Sequence, residues 1–376
     1  MPMPFLSALI RYERLRRNWS LEGLCSGVCA VSYLSKIEQG KAEPGQEILS
    51  ALMKRLEMRW YDDGDAARWV DEMMEAGLSF DHARQRALMD ELAERRERFV
   101  NGPQMLNVLL LEKLCSQREP EVDLSAFEAC FDERQRALWM LGQKRFDEAV
   151  RLMPCACTWL ADGAAAYQAG QYSRAIERLL RACSLAMDEG RARVLLQAKV
   201  LLGNCYSDQQ EYEAMIAHYE AAARLARDLG EEDMLEGVRY NTAATDLQLG
   251  HVEKAYACFA AMQEPGVMAL HKLAICEEKL GKTEDALRTI ARARAAECEY
   301  PSQAVVQQML DVVEYRLLHA DYLHRSEYGE QLLSCFRTIR QELPHGYAVF
   351  HQPWVEEWYI ANRQYKQAYE LKQAFS

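Results

Sequence analysis

The sequence predicts an all-α protein in two parts: a small N-terminal unit of short helices and a long body of paired helices. Three observations carry this. No stretch sustains the apolar–polar alternation of a half-buried strand, whereas apolar residues recur at helical spacing from end to end. A short pattern recurs through the body: a helix end, a glycine or polar turn, an aromatic or apolar residue, then alanine. Residues 20–40 read as two short apolar-backed helices around a tight turn.

At 376 residues, nearly half of them apolar, the chain is long enough for two or three units with a sizeable core. Its net charge of −12 is an average over unlike parts. Residues 1–60 hold nine Lys/Arg against six Asp/Glu, while the remainder holds 36 against 51. A basic tip on an acidic body fits a local nucleic-acid contact better than a channel along the whole chain. The twelve cysteines are spread through helical patterns, Met1-Pro2-Met3-Pro4 lacks the form of a secretory leader, and no apolar run approaches the length of a membrane span. A cytoplasmic protein with reduced thiols is expected.

The first helix is expected over Phe5 to Asn18, with Leu6, Ile10 and Leu15 inward and Arg11, Arg14, Arg16 and Arg17 around its other faces. Ser20 is placed to cap the second helix. Leu24, Cys25 and Val28 face inward there, Gly27 serves the turn, and Leu34 and Ile37 back a third helix that Gly40 ends. Wheel spacing then puts Ser32, Ser35, Lys36 and Gln39 together on the outer face of that third helix. A short helix with an apolar back and a small, polar, singly basic front suits a major groove: a helix-turn-helix with its reader second. A fourth helix over Gln46 to Leu56 follows, its buried stripe being Ile48, Leu49, Leu52 and Leu56.

The run from Ile10 through Leu56 resembles the DNA-binding head of the XRE-type regulators. Leu24-Cys25-Ser26-Gly27-Val28-Cys29-Ala30-Val31-Ser32-Tyr33-Leu34-Ser35-Lys36-Ile37-Glu38 is similar to the peptide-sensing RRNPP branch, which includes PlcR, NprR and Rgg. Leu21 stands where such heads usually carry a phosphate-gripping Gln. The resemblance implies that Arg14 pairs with Glu38 inside the head. Arg17, Ser20 and Lys41 are then the phosphate candidates, which position a protein without reading sequence. Lys36 is the base-reading candidate, because a long cationic donor suits guanine acceptors; Ser32, Ser35 and Gln39 add weaker edge contacts.

Residues 57–65, with Asp62-Asp63-Gly64-Asp65, break the helical pattern. They predict a DNA-binding domain over 1–60, a hinge over 61–65 and a helical body over 66–376. In the body, Leu141-Gly142-Gln143-Lys144-Arg145-Phe146-Asp147-Glu148-Ala149, Tyr167-Gln168-Ala169-Gly170-Gln171-Tyr172-Ser173-Arg174-Ala175, Leu249-Gly250-His251-Val252-Glu253-Lys254-Ala255 and Leu280-Gly281-Lys282-Thr283-Glu284-Asp285-Ala286 share one theme, repeated once more at Asn362-Arg363-Gln364-Tyr365-Lys366-Gln367-Ala368. This resembles the tetratricopeptide repeat. The crossing residues Ala149, Ala175, Met215, Ala255 and Ala286 lie 26, 40, 40 and 31 residues apart, against a period of about 34 in the simple repeat. Segments 66–129 and 302–345 fit less closely and read as repeat-like hairpins.

The resemblance implies a right-handed tetratricopeptide-like α-solenoid with first helices lining a concave groove. Counting back from the crossing residues places Asn204, Asn241 and Lys272 on that inner face. Asn offers a donor and an acceptor to a peptide group, and a cation holds a terminal carboxylate. Lys272, with His271 and Lys279, is expected to take the carboxylate. Gln168 and Tyr240, with Tyr167, Tyr206, Asp208 and Gln248, are further candidate lining residues. Trp354, Trp358 and Tyr359 read as a cap on the last repeat or a contact with a second subunit.

Neither Cys155-Ala156-Cys157 nor Cys25 and Cys29 has a second ligand pair at zinc spacing, and no phosphate loop, nucleophile elbow or metalloprotease motif occurs. No metal, cofactor or enzymatic activity is expected. The expectation is a transcription regulator, a homodimer on a near-palindromic operator in double-stranded DNA, with a short signalling peptide as effector and no membrane partner. One alternative is a bifunctional regulator whose repeats also bind or dephosphorylate a response regulator. The other is a repressor whose repeats make only protein contacts.

Overall fold

The computed structural model describes residues 4–61, 64–116, 118–296 and 302–375. Among the described residues every regular element is a helix. By packing, the chain divides into two units: residues 1–162 with 181–195, and residues 163–180 with 196–376.

The first unit begins with α1 (Phe5–Arg16), α2 (Leu21–Cys25), α3 (Val31–Glu38) and α4 (Gln46–Arg55). Ile10, Leu24, Leu34, Ile37, Leu52 and Leu56 meet in a core closed to solvent. Leu21 is half-buried against it, so the residue in the place of the family's Gln serves packing. Ser20 caps α2 by accepting from the Gly23 N–H at 2.9 Å. Gly27 and Gly40 adopt φ of +71° and +69°, which glycine does at little cost. Leu15, expected inward, is 52% exposed. It lies five residues beyond Ile10, which on a 3.6-residue helix carries it off the inner face.

The other side of α1 packs outward from the head. Ala8, Leu9 and Met53 join an apolar cluster with α5 (Gly64–Leu78), α6 (His82–Val100), α7 (Met105–Ser116) and the 3-10 turn Leu124–Cys130. Phe5 lies 6.4 Å from Trp60 and 6.0 Å from Phe127, ring centre to ring centre. The Tyr12 hydroxyl accepts from the Asp123 N–H at 3.2 Å. Both flanks of the stretch 61–65 thus contribute to one apolar cluster. Asp62 and Asp63 lie outside the described residues, while Tyr61 N–H donates to the Asn101 carbonyl at 2.8 Å and Gly64 already begins α5.

Helical hairpins follow: α8 (Glu133–Gly142) with α9 (Phe146–Leu152), α10 (Ala156–Gln168) with α11 (Tyr172–Asp188), and α12 (Ala192–Asp208) with α13 (Tyr212–Leu229). Next come α14 (Glu232–Gln248) with α15 (Val252–Ala260), α16 (Val267–Lys279) with α17 (Thr283–Ala295), α18 (Gln303–Leu318) with α19 (Ser326–Glu342), and α20 (His345–Ala361) with α21 (Tyr365–Ala374). The repeat is visible in the backbone. Lys144, Gly170, Gln210, Gly250, Gly281 and Arg363 all have positive φ, each two residues before a second helix. The crossing residues Ala149, Ala175, Met215, Ala255 and Ala286 are fully buried.

Glycine marks the close crossings in the second unit. A Cβ on Gly203 would fall 2.2 Å from the Tyr219 ring, and one on Gly329 would fall 2.0 Å from Trp358. Trp354 and Trp358 are thereby buried in the core of their own chain, which favours the capping reading over a subunit contact for these two. No helix of the described residues is long and apolar enough to cross a membrane.

Candidate functional site

In the head, one ion pair joins α1 to α3 beside their apolar contacts. Arg14 donates through Nε and Nη2 to the two carboxylate oxygens of Glu38, both at 2.7 Å, and through Nη1 to the Trp19 carbonyl at 2.7 Å. Both partners are largely buried, so the pairing expected from the resemblance ties α1 to α3. It leaves Ser32, Lys36 and Gln39 exposed on one face of α3, with Ser35 half-buried beside them. Gln39 Nε2 donates to Ser35 Oγ at 3.1 Å and its Oε1 accepts from Lys41 Nζ at 2.7 Å, which arrays Lys41 beside the reading face.

Arg17 is engaged within the head. Its guanidinium contacts the Glu13 carboxylate and donates through Nη2 to the Leu56 carbonyl at 2.7 Å. The side chain satisfies a carbonyl left open at the end of α4 and so braces the head. Ser20 is exposed, but its hydroxyl oxygen is engaged in capping α2.

In the second unit, the first helices α12, α14 and α16 line a cavity of about 260 Å³. Asn204, Asn241, Lys272 and Tyr240 all border it, together with Tyr167, Asp208 and Gln248. Tyr240, Asn241, Ala244, Thr245 and Gln248 come from one face of α14, at the spacing that keeps residues on the same side of a helix. Asn204 Oδ1 accepts from the Tyr219 hydroxyl at 2.6 Å and from Asn241 Nδ2 at 3.1 Å. These bonds engage Asn204 Oδ1 and Asn241 Nδ2 and leave Asn204 Nδ2 and Asn241 Oδ1, one donor and one acceptor on two residues that border the cavity. Ser207 and Thr245 join α12 to α14 with a hydroxyl pair at 2.6 Å.

The cavity wall carries one acidic and one basic side chain. Asp208 accepts from the Tyr172 hydroxyl at 3.1 Å, and burial pushes its carboxyl up to about 6. Lys272 is 2% exposed, and among the described residues its Nζ has no hydrogen-bond partner. Its contact is the face of Phe350, 2.9 Å from Nζ to the ring centre. Burial holds the amine well below the usual lysine range. Gln248 Nε2 is a second buried donor without a partner among the described residues. Two unspent donors bordering one cavity suit a carboxylate.

Four sequence candidates fall elsewhere. Gln168 borders an adjoining cavity of about 1040 Å³, which shares Asp208 and Pro344 with the first. His271 does not border the pocket: it is buried and stacks on His351 with ring centres 5.6 Å apart, and burial keeps both rings neutral. Lys279 is exposed outside the pocket, and Tyr206 stacks on His218 at 5.3 Å. The sequence reading missed the far wall, Gly346, Tyr347 and Phe350 at the start of α20. A Cβ on Gly346 would fall 2.7 Å from Asp208 Oδ1, so the absent side chain was the available signal.

Residues 10–60 match the helix-turn-helix family model HTH_3. No curated protein matches the chain by sequence. Several solved structures resemble it. A Rap protein complexed with competence and sporulation factor is 15% identical, with 83% of this chain and 96% of that chain covered at a TM-score of 0.61. NprR is 16% identical over 82% of this chain and 99% of that chain, with TM-scores of 0.56 for the apo quorum sensor from B. thuringiensis and 0.52 for the complex with its cognate peptide NprX. Aspartyl phosphate phosphatase F from Bacillus subtilis is 15% identical, with 84% and 94% covered, at 0.52. The chain therefore carries an XRE-type helix-turn-helix domain at its N-terminus, and its helical-repeat body has the fold of the Rap and NprR structures.

Proposed function

We propose that this protein is a transcription regulator that reads DNA through α3 and is controlled by a short extended peptide in the α12–α14–α16 cavity. The observation that carries the reading is the set of unspent polar groups in that cavity. Asn204 and Asn241 present a donor and an acceptor to a peptide group, and Lys272 and Gln248 supply donors for a terminal carboxylate. The structural neighbours support it, since NprR is a quorum sensor solved with its cognate peptide. A single α3 contacts few bases, so two chains on a near-palindrome supply the remaining specificity. The regulator reading gives the body a binding role. Release of phosphate from a phosphorylated receiver domain would instead support the bifunctional alternative.

Mass spectrometry of the protein purified from its own host tests the ligand: a co-purified peptide is expected. Asn204→Ala combined with Asn241→Ala should abolish the peptide's effect on DNA binding and leave peptide-free DNA affinity unchanged; an intact response would move the site elsewhere. On the DNA side, Lys36→Ala should cost about 1–3 kcal/mol on the selected operator and relax its sequence preference. Undiminished specific binding in a mobility-shift titration would remove Lys36 from the reading face.

A further inference from the structure

The first unit holds a cavity that neither the reading face nor the peptide site uses. It measures about 700 Å³ and is bordered by α5, α6, α7, α8 and the residues Met153 and Cys157. That is the size of cavities that enclose small organic ligands. Six of its side chains carry sulfur: Met73, Met74, Met89, Met153, Cys115 and Cys157. Flexible, polarisable thioethers fit apolar guests of irregular shape. Met89, Leu114, Leu141 and Met153 border it half-buried, so apolar surface from several elements meets in one opening. A core that needed only itself would have closed over them.

The rim is polar on the α6 side. Arg86 is exposed there and, among the described residues, makes no hydrogen bond or ion pair. His82 beside it is bonded to Gln85 at 3.0 Å, and Asp90 is the one carboxylate at the opening. An apolar interior with an uncommitted guanidinium at its mouth matches a guest with a hydrocarbon body and a carboxylate end.

We propose that this cavity is a second ligand site, which takes a small carboxylate with an apolar chain, the chain among the methionines and the carboxylate on Arg86. The site has a route to the head. Met73, Met74, Leu111 and Leu138 border the cavity and belong to the same apolar cluster as Ala8 and Leu9 of α1 and Met53 of α4. A guest that spreads α5 from α7 acts on the core that seats the DNA-reading unit.

Dodecanoate, titrated calorimetrically into the full-length chain below its micelle concentration, tests this. Saturable one-to-one binding is expected. Leu141→Trp, which fills the cavity from a half-buried position, should abolish it, with helical content checked by circular dichroism. Met89→Trp is the substitute should that variant fail to fold. Arg86→Gln should weaken dodecanoate by about two- to fivefold, as for a solvent-exposed ion pair, and leave dodecanol unchanged. Absence of saturable binding, or binding undiminished in a folded cavity-filling variant, would overturn the site; an equal loss for dodecanol would overturn the role of Arg86.

Discussion

Lys272→Met raises the unfolding midpoint of the free protein and, at the same time, removes its response to peptide. The methylene stem of Lys272 is buried and its amine lacks a hydrogen-bond partner among the described residues. A thioether of similar length keeps the packing and removes an unsatisfied polar group that costs about 1–3 kcal/mol. The sign of the pH effect follows from burial, which depresses the folded-state amine. Between the folded and unfolded values the unfolded chain binds more protons, so this side chain's contribution to stability rises with pH across that interval. Lys272→Met should abolish that slope in denaturant titrations at several pH values. Binding a carboxylate restores the charge, so peptide binding takes up a proton at Lys272 and weakens as pH rises. Calorimetry in buffers of different ionisation heat reads the proton directly. An unchanged response in the variant would place the peptide's carboxylate away from α16.

Arg14→Ala is the second large effect. It leaves Glu38 buried without its cation and frees the Trp19 carbonyl, and loss of one partner from a buried pair costs about 3–5 kcal/mol. Thermal melts should show the loss, and DNA affinity should fall with it although Arg14 does not lie on the reading face. Arg14→Met combined with Glu38→Leu should recover much of the stability, because no orphaned charge remains. A single variant as stable as the parent would show that α3 is held by its apolar contacts alone.

Much of this architecture was legible in residue spacing. Gly27, Gly40 and Ser20 mark the head because their roles are local: a turn, a helix end and a cap. The crossing residues declared the hairpins for the same reason, and Asn204, Asn241 and Lys272 followed by counting along helices whose ends were already fixed. What escaped depends on contacts between distant segments. Arg17 reads as a surface cation until the end of α4 is seen beside it, and His271 turns to the core because His351 lies there. The packing of Phe5 and Tyr12 on Phe127 is of the same kind, a contact between distant segments that composition does not mark.

The wall that α20 lends to the cavity between α12, α14 and α16 has a consequence for timing. Asn204 and Asn241 leave the ribosome long before Gly346, Tyr347 and Phe350 do. A half-made chain therefore carries the amides that would clamp a messenger but nothing to close over it. If the cavity takes a peptide as proposed, enclosure must wait until synthesis has passed Phe350, and a molecule cut short before that point would lack the closing wall although its helix-turn-helix domain is already complete.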